Sequence, residues 1–302
     1  MRSSSGAGDR NLRCFWTTPS RSGEDVTVLQ RHIDDVVDTS SGVEWSMSIR
    51  DTAGREVASC NAHRAMNTAS VGKLLLLIEV ARQRGEGDLS GATLLGREPG
   101  LMVADSGVWQ HLRAEALAVD DLCVLVASVS DNLATNVLLK QVGLPAVRRL
   151  AETLGLVDTA LLDRVRDHRG PNDPPTLSTG AASEWSRVMS ELSRNELISP
   201  ALSEQVNAWL ATGVDLSMVG FAFGLDPLAH GPSDRNILMR NKTGADRGVR
   251  ADVGSISQDA TCFCYAVIAN WEASDAALRD VALSGMNRIG AALRTFFDGD
   301  VW

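Results

Sequence analysis

Ser70 and Lys73 stand three residues apart at the mouth of an apolar run, Leu74-Leu75-Leu76-Leu77-Ile78. At that spacing a serine and a lysine share one face of one helix end. A serine hydroxyl becomes a nucleophile when a base within hydrogen-bond reach takes its proton. A lysine serves as that base once burial or a neighbouring cation lowers its pKa. The helix start also offers free backbone N–H groups to a developing oxyanion. The plainer alternatives are a serine that caps its helix and a lysine on an exposed face. The five apolar residues that follow argue against the second.

Two further groups follow in order, Ser130-Asp131-Asn132 and Lys242-Thr243-Gly244. An S-x-x-K, an S-D-N and a K-T-G, separated by roughly 60 and then roughly 110 residues, form the signature of class A β-lactamases and penicillin-binding proteins. From about Val26 to its C-terminus the chain resembles that family of penicillin-recognising serine hydrolases, and the class A β-lactamase branch in particular.

The resemblance implies roles. Ser70 attacks a carbonyl and is acylated, and Lys73 acts as base or proton relay. Ser130 returns the proton to the leaving nitrogen, while Lys242 raises its acidity and steers an anionic substrate. Asn132 orients the substrate amide and bonds Lys73, and Thr243 binds a carboxylate. Gly244 permits close approach to the sheet edge, so that the Ala245 N–H joins that of Ser70 in an oxyanion hole. Asp131 is expected to tie the loop to its own backbone. The implied substrate is a β-lactam or a related cyclic amide or ester.

One part departs from the family. Its β-lactamases carry, on a loop after S-D-N, a glutamate that drives water onto the acyl-enzyme, in a segment reading roughly E-x-x-L-N. Here the stretch runs Leu162-Asp163-Arg164-Val165-Arg166-Asp167-His168-Arg169-Gly170-Pro171-Asn172-Asp173. It is short, and its alignment sets Arg166 where the glutamate belongs. General-base assistance contributes about 10²–10⁴ in rate, so acylation without efficient turnover becomes an open outcome. Asp167 and His168 are weak substitutes, and Arg166 is either an anion binder or the partner of Asp163 or Asp167. Trp109 is the nearest candidate for an aromatic at the cleft mouth. The alternatives to a β-lactamase are an esterase and a β-lactam-binding or sensing protein.

The elements that must position these residues can be read from periodicity. Glu24–Asp38 carries a helical stripe, and Val43, Trp45, Met47 and Ile49 alternate as a strand that turns at Asp51-Thr52-Ala53-Gly54 into a second strand. The helix from Ser70 runs to about Gly85. Helices over Asp120–Val129 and Asn132–Val142 flank the S-D-N loop. Ser199 caps a helix opened by Pro200. Strand-like runs follow over Ile237–Arg240, Val249–Ser257 and Thr261–Ala269, then an amphipathic helix over Ala276–Phe297.

The expected fold is α+β and β-lactamase/transpeptidase-like, with a five-stranded antiparallel sheet flanked by helices plus an all-helical lobe. Its expected parts are a polar N-terminal extension (1–23), an α/β lobe (24–60 with 216–302) and a helical lobe carrying Ser70 and Ser130 (61–215). A chain of 302 residues, 44% hydrophobic and 22% charged, can bury such a core. Its net charge of −9 argues against nucleic acid. No run reaches the ~18 apolar residues of a membrane span. The polar start lacks the apolar segment of a signal peptide, which points to a cytoplasmic monomer, or to a secreted one had a leader been removed. The five cysteines (Cys14, Cys60, Cys123, Cys262, Cys264) are expected to be free thiols. A family disulfide matching Cys123 is ruled out by Leu77. Without a His/Cys ligand set, neither a metal nor an organic cofactor is implied.

Overall fold

A computed structural model of the chain describes residues 23–228 and 236–297. Cys14, most of the N-terminal extension and part of the Gly- and Pro-rich stretch before the K-T-G strand lie outside these residues.

The expected sheet is present. Strands β1 (Val43–Arg50) and β2 (Glu56–Cys60) form a hairpin near the start of the chain. The small strands β3 (Met66–Asn67), β4 (Leu94–Gly96), β5 (Ala116–Ala118), β6 (Ala160–Leu161) and β7 (Ser178–Gly180) pair among themselves. They make a three-stranded and a two-stranded ribbon, so the lobe expected to be all helix also holds short sheets. Strands β8 (Leu238–Asp246), β9 (Val249–Gln258) and β10 (Thr261–Trp271) complete the main sheet in the order β2-β1-β10-β9-β8, every neighbouring pair antiparallel. Strand β8 extends past the sequence reading and carries all of Lys242-Thr243-Gly244 on the sheet edge.

Helices α1 (Gly23–Thr39) and α8 (Leu278–Arg294) cover one face of this sheet. Ile33, Val36, Met286 and Ile289 meet Trp45, Met47, Tyr265 and Val267 there. The opposite face packs the helical lobe: α2 (Lys73–Glu86), α3 (Val119–Val129), α4 (Asn132–Val142), α5 (Leu144–Thr153), α6 (Ala182–Ser193) and α7 (Pro200–Leu210). Ala251, Val253, Cys264 and Ala266 point into this second core. Strand alternation thus feeds two cores from one set of strands, as the period of two demands.

Helix α2 lies at the centre of the larger core. Residues 73 to 81 are buried without interruption, the pattern of a helix enclosed on all sides. It ends at Gly87 in the left-handed conformation (φ 84°), a common helix stop. Ser199 caps α7 by accepting the Leu202 N–H, as its sequence foretells.

Candidate active site

Ser70 lies in a 3-10 turn (Ala69–Gly72) that leads into α2. The N-cap positions of that turn and of α2 are Thr68 and Gly72, so Ser70 does not stand at a cap position. Ala69 before it is left-handed (φ 47°), a conformation that is costly for a residue with a Cβ and that clusters at functional sites. Lys73 follows on the first turn of α2 and is fully buried.

The S-D-N loop joins α3 to α4. Ser130 ends α3 in the left-handed region (φ 56°), and Asp131 caps α4 by accepting the Ala134 N–H at 2.9 Å. Asp131 Oδ2 also accepts the N–H groups of Val108 and Trp109, each at 2.8 Å. Gly107 makes that contact possible. It has φ +119°, and a Cβ there would stand 2.4 Å from the Asp131 carboxyl. Asp131 therefore ties the 105–109 segment to α4 as well as its own loop. Trp109, expected at the cleft mouth, is instead fully buried with its indole N–H on the Ala114 carbonyl. The segment places Ser106 in the cleft, not an aromatic ring.

The three motifs converge on Ser130. Lys73 Nζ donates to the Ser130 carbonyl at 2.6 Å, to Ser130 Oγ at 3.1 Å and to Asn132 Oδ1 at 2.7 Å. Lys242 Nζ reaches the same Ser130 Oγ at 3.1 Å from the other side and donates to the Thr243 carbonyl at 2.8 Å. Burial, then the like charge of Lys242, push the Lys73 ammonium well below the usual lysine value, against the pull of Asp131 and Asp105. Burial lowers Lys242 to about 8, opposed by Asp215 and Asp252.

Strand β8 meets the Ser70 turn at Gly244. A Cβ there would lie 2.2 Å from the Thr68 carbonyl oxygen and 3.0 Å from the Ser70 nitrogen, so only glycine lets the sheet edge come this close. Ser70, Ser130, Lys242, Thr243 and Ala245 line one cavity of about 210 Å³, with Ser106 and Asp215 beside them. Lys73 and Asn132 stand behind its wall, buried.

Asp215 has no sequence motif to announce it. Burial would raise its carboxyl, but hydrogen bonds from Ser217 and Thr243 and the charge of Lys242 outweigh it and hold the group below the usual aspartate value. Asn136 was equally unremarked, although it stands one helical turn beyond Asn132 on the same face of α4. Its side chain grips the backbone of Val165, donating to that carbonyl at 3.0 Å and accepting that N–H at 2.9 Å.

This grip fastens the short loop to α4. The residue fastened to α4 is Val165, which packs against the core. Arg166 turns into an ion cluster, Nε to Asp163 at 2.6 Å and Nη2 to Asp173 at 3.1 Å, which Arg169 joins at 2.7 Å from Asp163. Its partners are thus Asp163 and Asp173, and Asp167 instead accepts the Ala104 N–H at 2.8 Å. Asp167 and His168 are both exposed. Cys123 is a buried free thiol.

The profile described as the beta-lactamase enzyme family matches residues 28–297. Among solved structures, a β-lactamase from Sphaerobacter thermophilus DSM 20745 superposes with a TM-score of 0.77 at 23% identity, covering 90% of this chain and 97% of that one. PBP-A superposes at 0.74 with 18% identity, covering 90% and 96%. A leucine-to-glutamate variant of PBP-A, described as an acyl-enzyme complex with penicillin G, gives 0.74 at 19% identity, covering 90% and 97%. At these identities the structures establish the shared fold, and the profile, which spans most of the chain, establishes the family: the protein belongs to the beta-lactamase enzyme family.

Proposed function

We propose that the protein opens a β-lactam, or a related cyclic amide or ester, through an acyl-enzyme on Ser70, and that deacylation is its atypical step. The observation that carries this reading is the placement of Ser130 Oγ between the Nζ atoms of two buried lysines, each at 3.1 Å. Burial beside Lys242 favours the neutral amine of Lys73, which takes the Ser70 proton as Oγ attacks the carbonyl. The N–H groups of Ser70 and Ala245 receive the oxyanion. Ser130 passes a proton to the leaving nitrogen and is resupplied from Lys73 across 3.1 Å. Lys242 and Thr243 hold the substrate carboxylate, and Asn132 holds its amide.

A second reading, a binding or sensing protein that is acylated and stops, draws on Val165. The loop residue that Asn136 fastens to the S-D-N helix is apolar and cannot activate water. That PBP-A was studied as a glutamate-bearing variant in an acyl-enzyme complex makes the same contrast relevant here. An esterase occupies the ground between, because the alkoxide of an ester leaves readily.

Intact-protein mass spectrometry after mixing with a penicillin and a cephalosporin, with ring opening assayed in parallel, separates these outcomes. Product formation with a transient adduct supports the hydrolase, and a persistent stoichiometric adduct supports the trap. Ser70→Ala abolishes labelling; an adduct that survives in that variant overturns the mechanism.

A further inference from the structure

One wall of the cleft is a strap, residues 213–219, that leads from the end of α7 into a short 3-10 helix over Val219–Phe223. It is fastened along its length. Val214 donates its N–H to the Ser128 carbonyl of α3 at 3.1 Å. Asn241 of β8 donates its side-chain amide to the Asp215 carbonyl at 3.2 Å. Val219 donates its N–H to Asp252 of β9 at 3.1 Å. Asp252 is buried and also receives the Asn241 amide, at 3.1 Å, so a helix and two strands share in holding the strap.

The side chain held there over the cleft is Asp215. Its Oδ1 accepts the Ser217 N–H at 3.1 Å and the Ser217 hydroxyl at 2.7 Å, a local turn that fixes the carboxylate within the strap. The Thr243 hydroxyl donates to the same carboxylate, and Lys242 lies near enough to stabilise its charge. Of the described residues that line the cavity, Lys242 and Asp215 alone carry charge. Arg250 of β9 also feels Asp215. Its Nη1, however, donates to the Asp246 and Val249 carbonyls at 3.0 and 2.7 Å, and its guanidinium lies over the Trp271 ring.

The two donors assigned to a substrate carboxylate are therefore already engaged by a carboxylate of the chain. Thr243 has a single hydroxyl proton to give, and the charge of Lys242 is shared. An incoming carboxylate must take that proton from Asp215 and then lie beside a second anion in a partly enclosed cavity, where like charges are poorly screened. An uncharged donor meets neither demand, and it still uses Ser70, Ser130 and the oxyanion N–H groups.

We propose that Asp215 sets the charge of the substrate: with it in place the cleft prefers an acyl donor that is uncharged on its leaving side, a neutral ester or amide, over one that carries a carboxylate there. This rests on the acyl-enzyme reading and narrows it. Asp215 is a repulsive element of specificity, and it acts on the ratio of acylation rates between two donors, not on the chemistry they share.

Penicillin G and its methyl ester differ only in that carboxylate. Acylation of Ser70 by each, followed as adduct mass against time, should show the ester reacting at least as fast as the acid in the unmodified chain. Asp215→Asn keeps the shape and an acceptor for Ser217 and Thr243 but removes the charge. In that variant the acid should gain about tenfold or more over the ester. A substitution that merely loosened the strap would slow both donors alike, so the ratio is the readout. The same shift should appear between 3-carboxyphenyl and phenyl phenylacetylglycinate, which are esters without a strained ring. An acid that outpaces its ester tenfold in the unmodified chain overturns the proposal, as does a ratio that Asp215→Asn leaves unchanged. No adduct on Ser70 from any of the four compounds is a different failure, that of the acyl-enzyme reading itself, and takes this proposal with it.

Discussion

Ser130 is approached by two lysines whose ionisations serve different ends. In the proposed mechanism Lys73 works as a neutral amine and Lys242 as a cation. Lys242 keeps its charge below about 8 and loses it as pH rises through that value, so the attraction of an anionic substrate and the support of Ser130 fade on the alkaline side. The second-order rate of acylation by a penicillin should therefore fall above pH 8, roughly tenfold per pH unit where the cation is required. Lys242→Arg keeps its proton throughout and should move that limb upward, at some cost in rate because a planar fork replaces a point charge. An unmoved alkaline limb in the variant assigns it to another group. On the acid side the rate should decline as Lys73 takes up a proton. The convergence of Ser70, Lys73, Ser130 and Lys242 around one cleft was legible in the sequence because their three motifs stand in a recognisable order and spacing. The companions were not. Asp215 acts through burial and hydrogen bonds that only the packed chain creates, and Asn136 through a backbone.

At the scale of elements, the loop over 163–173 is built from ion pairs and one backbone grip. Alignment by letters sets Arg166 at the glutamate's place, but a shortened loop has no fixed register of its own. In the structure the loop is held at Val165 by Asn136, whose two bonds to it do not depend on that residue's side chain. Val165→Glu should therefore keep the loop's course while placing a carboxylate one helical turn from Asn132 and its partner Lys73. The expected outcome is an acyl adduct that decays about 10²-fold faster or more, the lower end of what a positioned general base contributes. Time-resolved intact mass reads it directly, and an adduct lifetime unchanged in a folded variant counts against this placement. Strand β8 shows the same lesson in milder form. Its apolar signal stops near Arg240, yet the strand runs on through Asp246 because β9 pairs with it along its whole length.

For the whole molecule, the strands of one sheet supply both cores, so neither core keeps its shape without the other. Thermal unfolding should then appear as a single cooperative event. Trp45 reports on the α1/α8 side and Trp185 and Trp209 on the helical side. Fluorescence of the native chain and of Trp45→Phe, read against circular dichroism, should give coincident profiles within each protein. Separated midpoints would show that the lobes melt independently. The five-stranded antiparallel sheet was foreseen because strands at both ends of the chain flank a helical block, while its strand order came only with the structure. The small ribbons β3 to β7 were not, since two- and three-residue strands leave no periodicity to detect.

The pairing of β1 with β10, which joins Val43 to Trp271, also sets an order of events. The first strand leaves the ribosome long before the strand on which it will lie, and its unpaired edge must wait for nearly the whole chain. Such distant closure slows folding and lengthens exposure to aggregation. Lys242 sits on β8, which reaches the rest of the sheet through β9 and β10. Ser70, Lys73 and Ser130 belong to elements made earlier, so the second lysine at Ser130 is delivered only with the late strands, and the cleft is complete only once these have paired.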